Sequence, residues 1–193
     1  MRQKPLDIFI LIALASGVCS GVSVIVRPLG IVVPGLCFGL ALCFALRLSG
    51  VPLGLGRAAI LIATVTLGYL AAFVTCLLSM RLPGWTNSGF ISGCLTGTIA
   101  GGTGAAIVAL SLAFVVPRLR STAPFVLTSV TGAVFGAVLD NVGTLISDCK
   151  SLGHPIDDLI TFPIWQVAVA IAIAWSLEKP GQQDPQETGY HEG

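Results

Sequence analysis

Six stretches of this chain are apolar for long enough that lipid, rather than water, is the solvent they suit. A crossing helix needs about 20 mostly apolar residues to traverse roughly 30 Å of hydrocarbon. The stretches are 8–26, 31–48, 58–80, 90–116, 125–147 and 159–177. Between them lie short segments holding Arg, Pro, Gly and Ser, where a backbone can turn in the polar interface. The 193 residues are 54% hydrophobic and only 10% charged. A soluble domain this small leaves much of its surface facing water and could not hide so much apolar area. The expected fold is an all-α, polytopic integral membrane bundle of six transmembrane helices, with the bilayer as its main partner.

Two spans are weaker than the others. Arg47 shortens the second, whose first turn holds Pro34 and Gly35; proline is tolerated there, and the arginine can snorkel to the headgroups. In the last, Pro163 is a candidate start, which would leave 156–162 as an interfacial lead-in. At the N-terminus, Arg2 and Lys4 precede an apolar run, and Ala13-Leu14-Ala15 fits a small-x-small cleavage pattern. That run is short and interrupted by Asp7, and hydrophobic sequence continues to Val26, so it reads as a retained first helix.

The ten Lys and Arg residues set the orientation, because cytoplasmic loops are enriched in them. With six spans, one side receives Arg2, Lys4, Arg47, Arg57, Arg118, Arg120 and Lys179, and the other Arg27, Arg81 and Lys150. Both termini are therefore expected inside. Trp85 and Trp165 fall on the outer side, where indole rings favour the interface. Residues 1–178 read as one transmembrane domain and 179–193, KPGQQDPQETGYHEG, as a disordered cytoplasmic tail. The expected location is the inner (plasma) membrane of a bacterium.

Much of the glycine recurs at a spacing of four: Gly17 and Gly21, Gly35 and Gly39, Gly93 with Gly97, Gly101 beyond them, and Gly132 and Gly136. Such pairs share a helix face and let a neighbouring backbone approach closely, which is how helices associate when lipid supplies no hydrophobic drive. Close packing is the plainer reading, and a cavity or a face for a homo-oligomer or larger complex the sharper one. The run Gly101-Gly102-Thr103-Gly104 is the best candidate for an unwound segment, since consecutive glycines weaken a helix by roughly 1 kcal/mol each relative to alanine. A continuous helix with a flat glycine face is the favoured alternative.

Asp140 is the single acidic residue well inside a span, with Asn141 beside it and Thr128 and Thr131 earlier on the same helix. An intramembrane carboxylate is costly unless paired, hydrated or protonated, so it marks a functional hypothesis by default. Here it is a candidate solute or ion contact together with Asn141, Thr131, Thr96, Gly101, Gly102, Thr103 and Gly104. Pairing with Lys150 or Arg27 is the structural alternative. The fifth loop holds His154, Asp157 and Asp158; one histidine in a hydrated loop makes a poor metal or acid–base site, and the two carboxylates suit helix capping better.

Several chemistries are excluded. Neither His154 nor His191 lies in a span, which removes the base of an intramembrane serine protease and the ligands of a haem. No H-E-x-x-H pair, second intramembrane carboxylate or P-loop is present. The net charge of +1 without a basic stripe argues against a nucleic-acid partner. Five of the six cysteines, Cys19, Cys37, Cys43, Cys76 and Cys94, sit in apolar runs as small hydrophobes and only Cys149 in a polar loop. No catalytic residue, metal or cofactor is expected. The leading expectation is a small-solute transport component, transporter or membrane substrate-binding subunit. In size and span number the chain is similar to the membrane substrate-binding subunits of modular uptake systems, a likeness carried by no motif. The alternative is a non-catalytic scaffold or assembly subunit.

Overall fold

A computed structural model describes residues 5–25, 32–79, 81, 89–148 and 155–178, and all regular structure among them is helical. Six α-helices follow in order: α1 Pro5–Ile25, α2 Val33–Leu48, α3 Leu55–Ser79, α4 Gly89–Val115, α5 Thr122–Asp148 and α6 Pro155–Glu178. Five are long and apolar enough to cross a membrane. The exception is α2, whose 16 residues extend about 24 Å at 1.5 Å per residue. Large apolar side chains on all six helices face outward, among them Leu11, Phe44, Leu67, Phe114, Val130 and Ile164. That is the reverse of a soluble surface and compatible with an integral membrane protein.

The ends of α2 and α4 are written in the sequence. Ser49 and Gly50 stop α2: the Gly50 N–H bonds the Arg47 carbonyl and the Val51 N–H the Leu46 carbonyl, the paired bonds of a Schellman turn. Gly50 carries the positive φ, 82°, that this turn demands. Pro117 stops α4, and Val116 before it is extended, as a residue preceding proline prefers. A single 3-10 turn, Pro117–Leu119, then leads to α5, and Arg120 returns to donate its Nε to the Ala113 carbonyl at 3.2 Å.

Each helix packs on its neighbours in sequence, and α6 closes on α1, so the six form a ring. The glycine contacts give the directions. A methyl added at Gly39 would lie 2.9 Å from Ile62 Cα, and one at Gly35 2.8 Å from Thr66 Cα, so α2 and α3 run antiparallel. Gly68 meets Ile107 while Ser79 meets Thr96, which makes α3 and α4 antiparallel. Gly97 opposes Gly136 and Gly101 opposes Gly132, which does the same for α4 and α5. The α2–α3 and α4–α5 turns thus share one end of the ring, the near end.

That end is solidly filled. Leu46, Leu61, Leu112, Val115, Val116 and Leu119 form one buried cluster with Phe9 of α1 and Ile173 and Ala174 of α6. Burying a Leu or Phe side chain contributes about 1.5–3 kcal/mol when the alternative is water. Inside a bilayer the gain is instead the dispersion contact of close packing.

One favoured reading holds and two expectations change. The Gly101–Gly104 run leaves α4 unbroken, because its glycines are packed against α5 and α3 and the tertiary contact holds the helix that propensity alone would loosen. Pro163 does not start α6; it lies inside the helix, where its ring removes a single i→i−4 bond. Gly17 supplies the space for it, since a methyl there would overlap the Pro163 backbone. Trp165 is no interfacial anchor, for its ring turns inward. Trp85, Arg27, Lys150, Cys149, His154 and the 179–193 tail lie outside the described residues, as do the side chains of Asp157 and Asp158.

If the glycines set the α4–α5 spacing, Gly97→Ala and Gly136→Ala should each cost about 1–3 kcal/mol by overpacking. Gly56→Ala, where nothing lies within 4 Å of an added methyl, should leave stability equal or slightly raised. Unfolding midpoints in detergent micelles measure this, and equal midpoints for all three variants would contradict it.

Candidate functional site

Away from the near end, the ring does not fill. A cavity of about 450 Å³ opens between α2, α3, α4, α5 and α6, within the roughly 300–1,000 Å³ of small-molecule sites. Its deepest lining includes Val65 and Val108, which belong also to the packed cluster. Toward the far end it is bounded by Cys76, Thr96, Asp140 and Thr161. The walls are mostly apolar, with the aromatic rings of Phe38, Tyr69, Phe73, Phe162 and Trp165.

Small residues create this space. Gly35, Ala72, Gly97, Ala100, Gly101, Gly104 and Gly136 line it, so α4 presents almost bare backbone to the interior. Two aromatic pairs brace the opposite side. Phe38 and Trp165 meet edge-on, 6.0 Å between centroids, and Tyr69 and Phe162 meet tilted at 5.7 Å; both spacings lie in the favourable range for aromatic pairs. The Trp165 indole N–H donates to the Gly132 carbonyl at 3.2 Å, which ties α6 to α5 and fixes the ring against the cavity.

Asp140 sits on α5, eight residues before the last residue of that helix, about 12 Å along the axis. Its carboxylate lies against Gly93 of α4, where an added methyl would come 3.1 Å from Oδ2. None of the arginines among the described residues, at positions 47, 57, 81, 118 and 120, forms an ion pair with it. The helix-end pairing partners expected from sequence, Lys150 and Arg27, are outside the described residues.

The eight expected contacts divide evenly. Asp140, Thr96, Gly101 and Gly104 line the cavity, whereas Asn141, Thr131, Gly102 and Thr103 do not. Asn141 is buried between helices instead, its Nδ2 donating to the Ala137 carbonyl at 2.7 Å and to Cys94 Sγ at 3.0 Å. Gly102 turns toward Ala133. Thr96 is joined to Ser79 of α3 at 3.3 Å. Of the packing glycines, Gly17 meets α6, Gly35 and Gly39 meet α3, and Gly93 meets α5; Gly97 and Gly101 face Gly132 and Gly136. Gly21 is buried on α1.

Sequence reasoning missed Gln166, only 1% exposed and part of the cavity lining. Its Nε2 donates to Ser20 Oγ of α1 at 3.0 Å. The Ser20 hydroxyl spends its one proton on the Ser16 carbonyl at 2.8 Å, so its oxygen must accept from Gln166, which assigns the amide orientation. Gln166 Oε1 is left without a donor among the described residues. An amide well inside an apolar span was the available signal. No group of three or more metal-ligating side chains occurs among the described residues.

The Gln166–Ser20 bond is testable by a double-mutant cycle. Ser20→Ala should cost about 0.6 and at most about 1.7 kcal/mol, the range for hydrogen bonds between membrane helices, and much less when Gln166 is already leucine. Additive losses would refute the bond. No protein-family model, curated protein or solved structure matches this chain, so what the site can bind follows from its own lining.

Proposed function

We propose that the chain is a small-solute-binding membrane protein, a transporter or the membrane substrate-binding subunit of an uptake system. The observation that carries this reading is the cavity of about 450 Å³ holding the Asp140 carboxylate amid apolar and aromatic walls. A membrane bundle that served only as a support would gain by filling such a space, since each missing contact forfeits packing energy. A carboxylate at that depth is also costly to retain without use.

In this reading residues 1–178 form one membrane domain with both termini inside, following the seven-to-three distribution of basic residues. The near end, with its apolar plug, then faces the cytoplasm, and the cavity faces outward. Solute would be captured from outside and held above a closed floor. A scaffold that docks a partner through its glycine faces is less favoured, because the glycines at 17, 35, 39, 97, 101, 132 and 136 are each covered by another helix of the same chain.

The test is solute-dependent stabilisation of the purified protein in nanodiscs, screened against a small-molecule panel. Wild type should show a saturable rise in unfolding temperature with at least one solute. Ala100→Phe, which places a ring in the cavity, and Asp140→Asn should each lose it at least tenfold in affinity. A panel without any responder, together with capture of one stoichiometric protein partner, would overturn the proposal in favour of the scaffold.

A further inference from the structure

Asp140 is the one carboxylate among the described residues that line the cavity, and no described arginine neutralises it. The N–H groups on the wall do not turn to it: the Trp165 N–H donates to the Gly132 carbonyl and one Gln166 N–H to Ser20. A carboxylate in a low-dielectric surround favours an opposite charge strongly.

We propose, resting on the small-solute reading above, that the cavity's ligand is an organic cation: a protonated amine carried on an apolar or aromatic body. Its ammonium supplies the counter-charge that Asp140 lacks among the described residues. The body fits the apolar walls, and the rings of Phe38, Tyr69, Phe162 and Trp165 add attraction for a cation near their faces. An inorganic cation would satisfy the carboxylate but leave the aromatic space empty, and an anion would meet Asp140 with like charge.

Three compounds of one shape separate the possibilities: 2-phenylethylammonium, the neutral 2-phenylethanol and the anionic 3-phenylpropionate, titrated calorimetrically into wild-type protein in nanodiscs. The ammonium should bind at least tenfold more tightly than either isostere. Asp140→Asn should remove that preference. If the alcohol or the carboxylate binds as well as the ammonium, the cation proposal falls while the solute-binding reading stands. Saturable heat from sodium chloride titrated in place of the amine, with no heat from the amine, also overturns it. If none of the three binds and Ala100→Phe behaves as wild type in the full solute panel, both readings fall together.

Discussion

The backbone of α4 rests directly on the backbone of α5, and the width of the whole ring depends on that contact. Gly97 and Gly136 each direct a carbonyl oxygen at the other's Cα, and Gly101 and Gly132 do the same one turn away. This is the arrangement of reciprocal Cα–H···O contacts, each worth about 0.5–1 kcal/mol, added to the dispersion energy of two surfaces without side chains. In lipid, where burial of apolar area supplies little drive between helices, such contacts decide which helices pair. The pairing also places the site. With α4 so near, Asp140 is held against Gly93, and the bare face of α4 leaves the adjoining interior unfilled.

The ring is asymmetric along its axis for a related reason. Where α2, α3 and α4 carry leucine inward, at Leu42, Leu46, Leu61 and Leu112, the interior is full. Where the same helices carry Gly35, Ala72, Gly97 and Gly104, it is open. Large and small residues are segregated by end rather than alternated across facing positions, which is the pattern that would have closed the space. The open half also holds Thr96, Ser79, Asp140 and Gln166, so polarity and space coincide.

Much of this was legible beforehand, and the failures have a common cause. Helix number and approximate limits follow from apolar length, and the stops at Gly50 and Pro117 from local chemistry. Which residues face the interior depends on helix rotation, which apolar sequence scarcely encodes when lipid and protein interior are equally apolar. Adjacent helical residues point about 100° apart, so one step along a helix can carry a residue from the cavity wall onto a neighbouring helix: Asp140 and Gly101 line the cavity, while Asn141 and Gly102 turn away from it. Gly101 and Gly104, three apart, both line it. Trp165 and Pro163 were misplaced because α6 starts at Pro155, earlier than its apolar stretch suggests. Aspartates and other polar residues precede that stretch, and helices can extend past the hydrocarbon where propensity and caps allow.

The packed end bears on what kind of transport component the proposed reading permits. To release a solute on the cytoplasmic side, the seam of Leu46, Leu61, Leu112, Phe9 and Ile173 would have to part, exposing apolar side chains to water at about 25 cal/mol per Å². A ligand shifts such an equilibrium only by its differential affinity for the two states. The group that would recognise it, Asp140, sits in the open half, and none of these five seam residues is polar, so none of them would respond to the ligand's charge. Opening therefore calls for free energy from elsewhere. A binding subunit whose plug is drawn apart by an energised partner meets that requirement more readily than a carrier working alone.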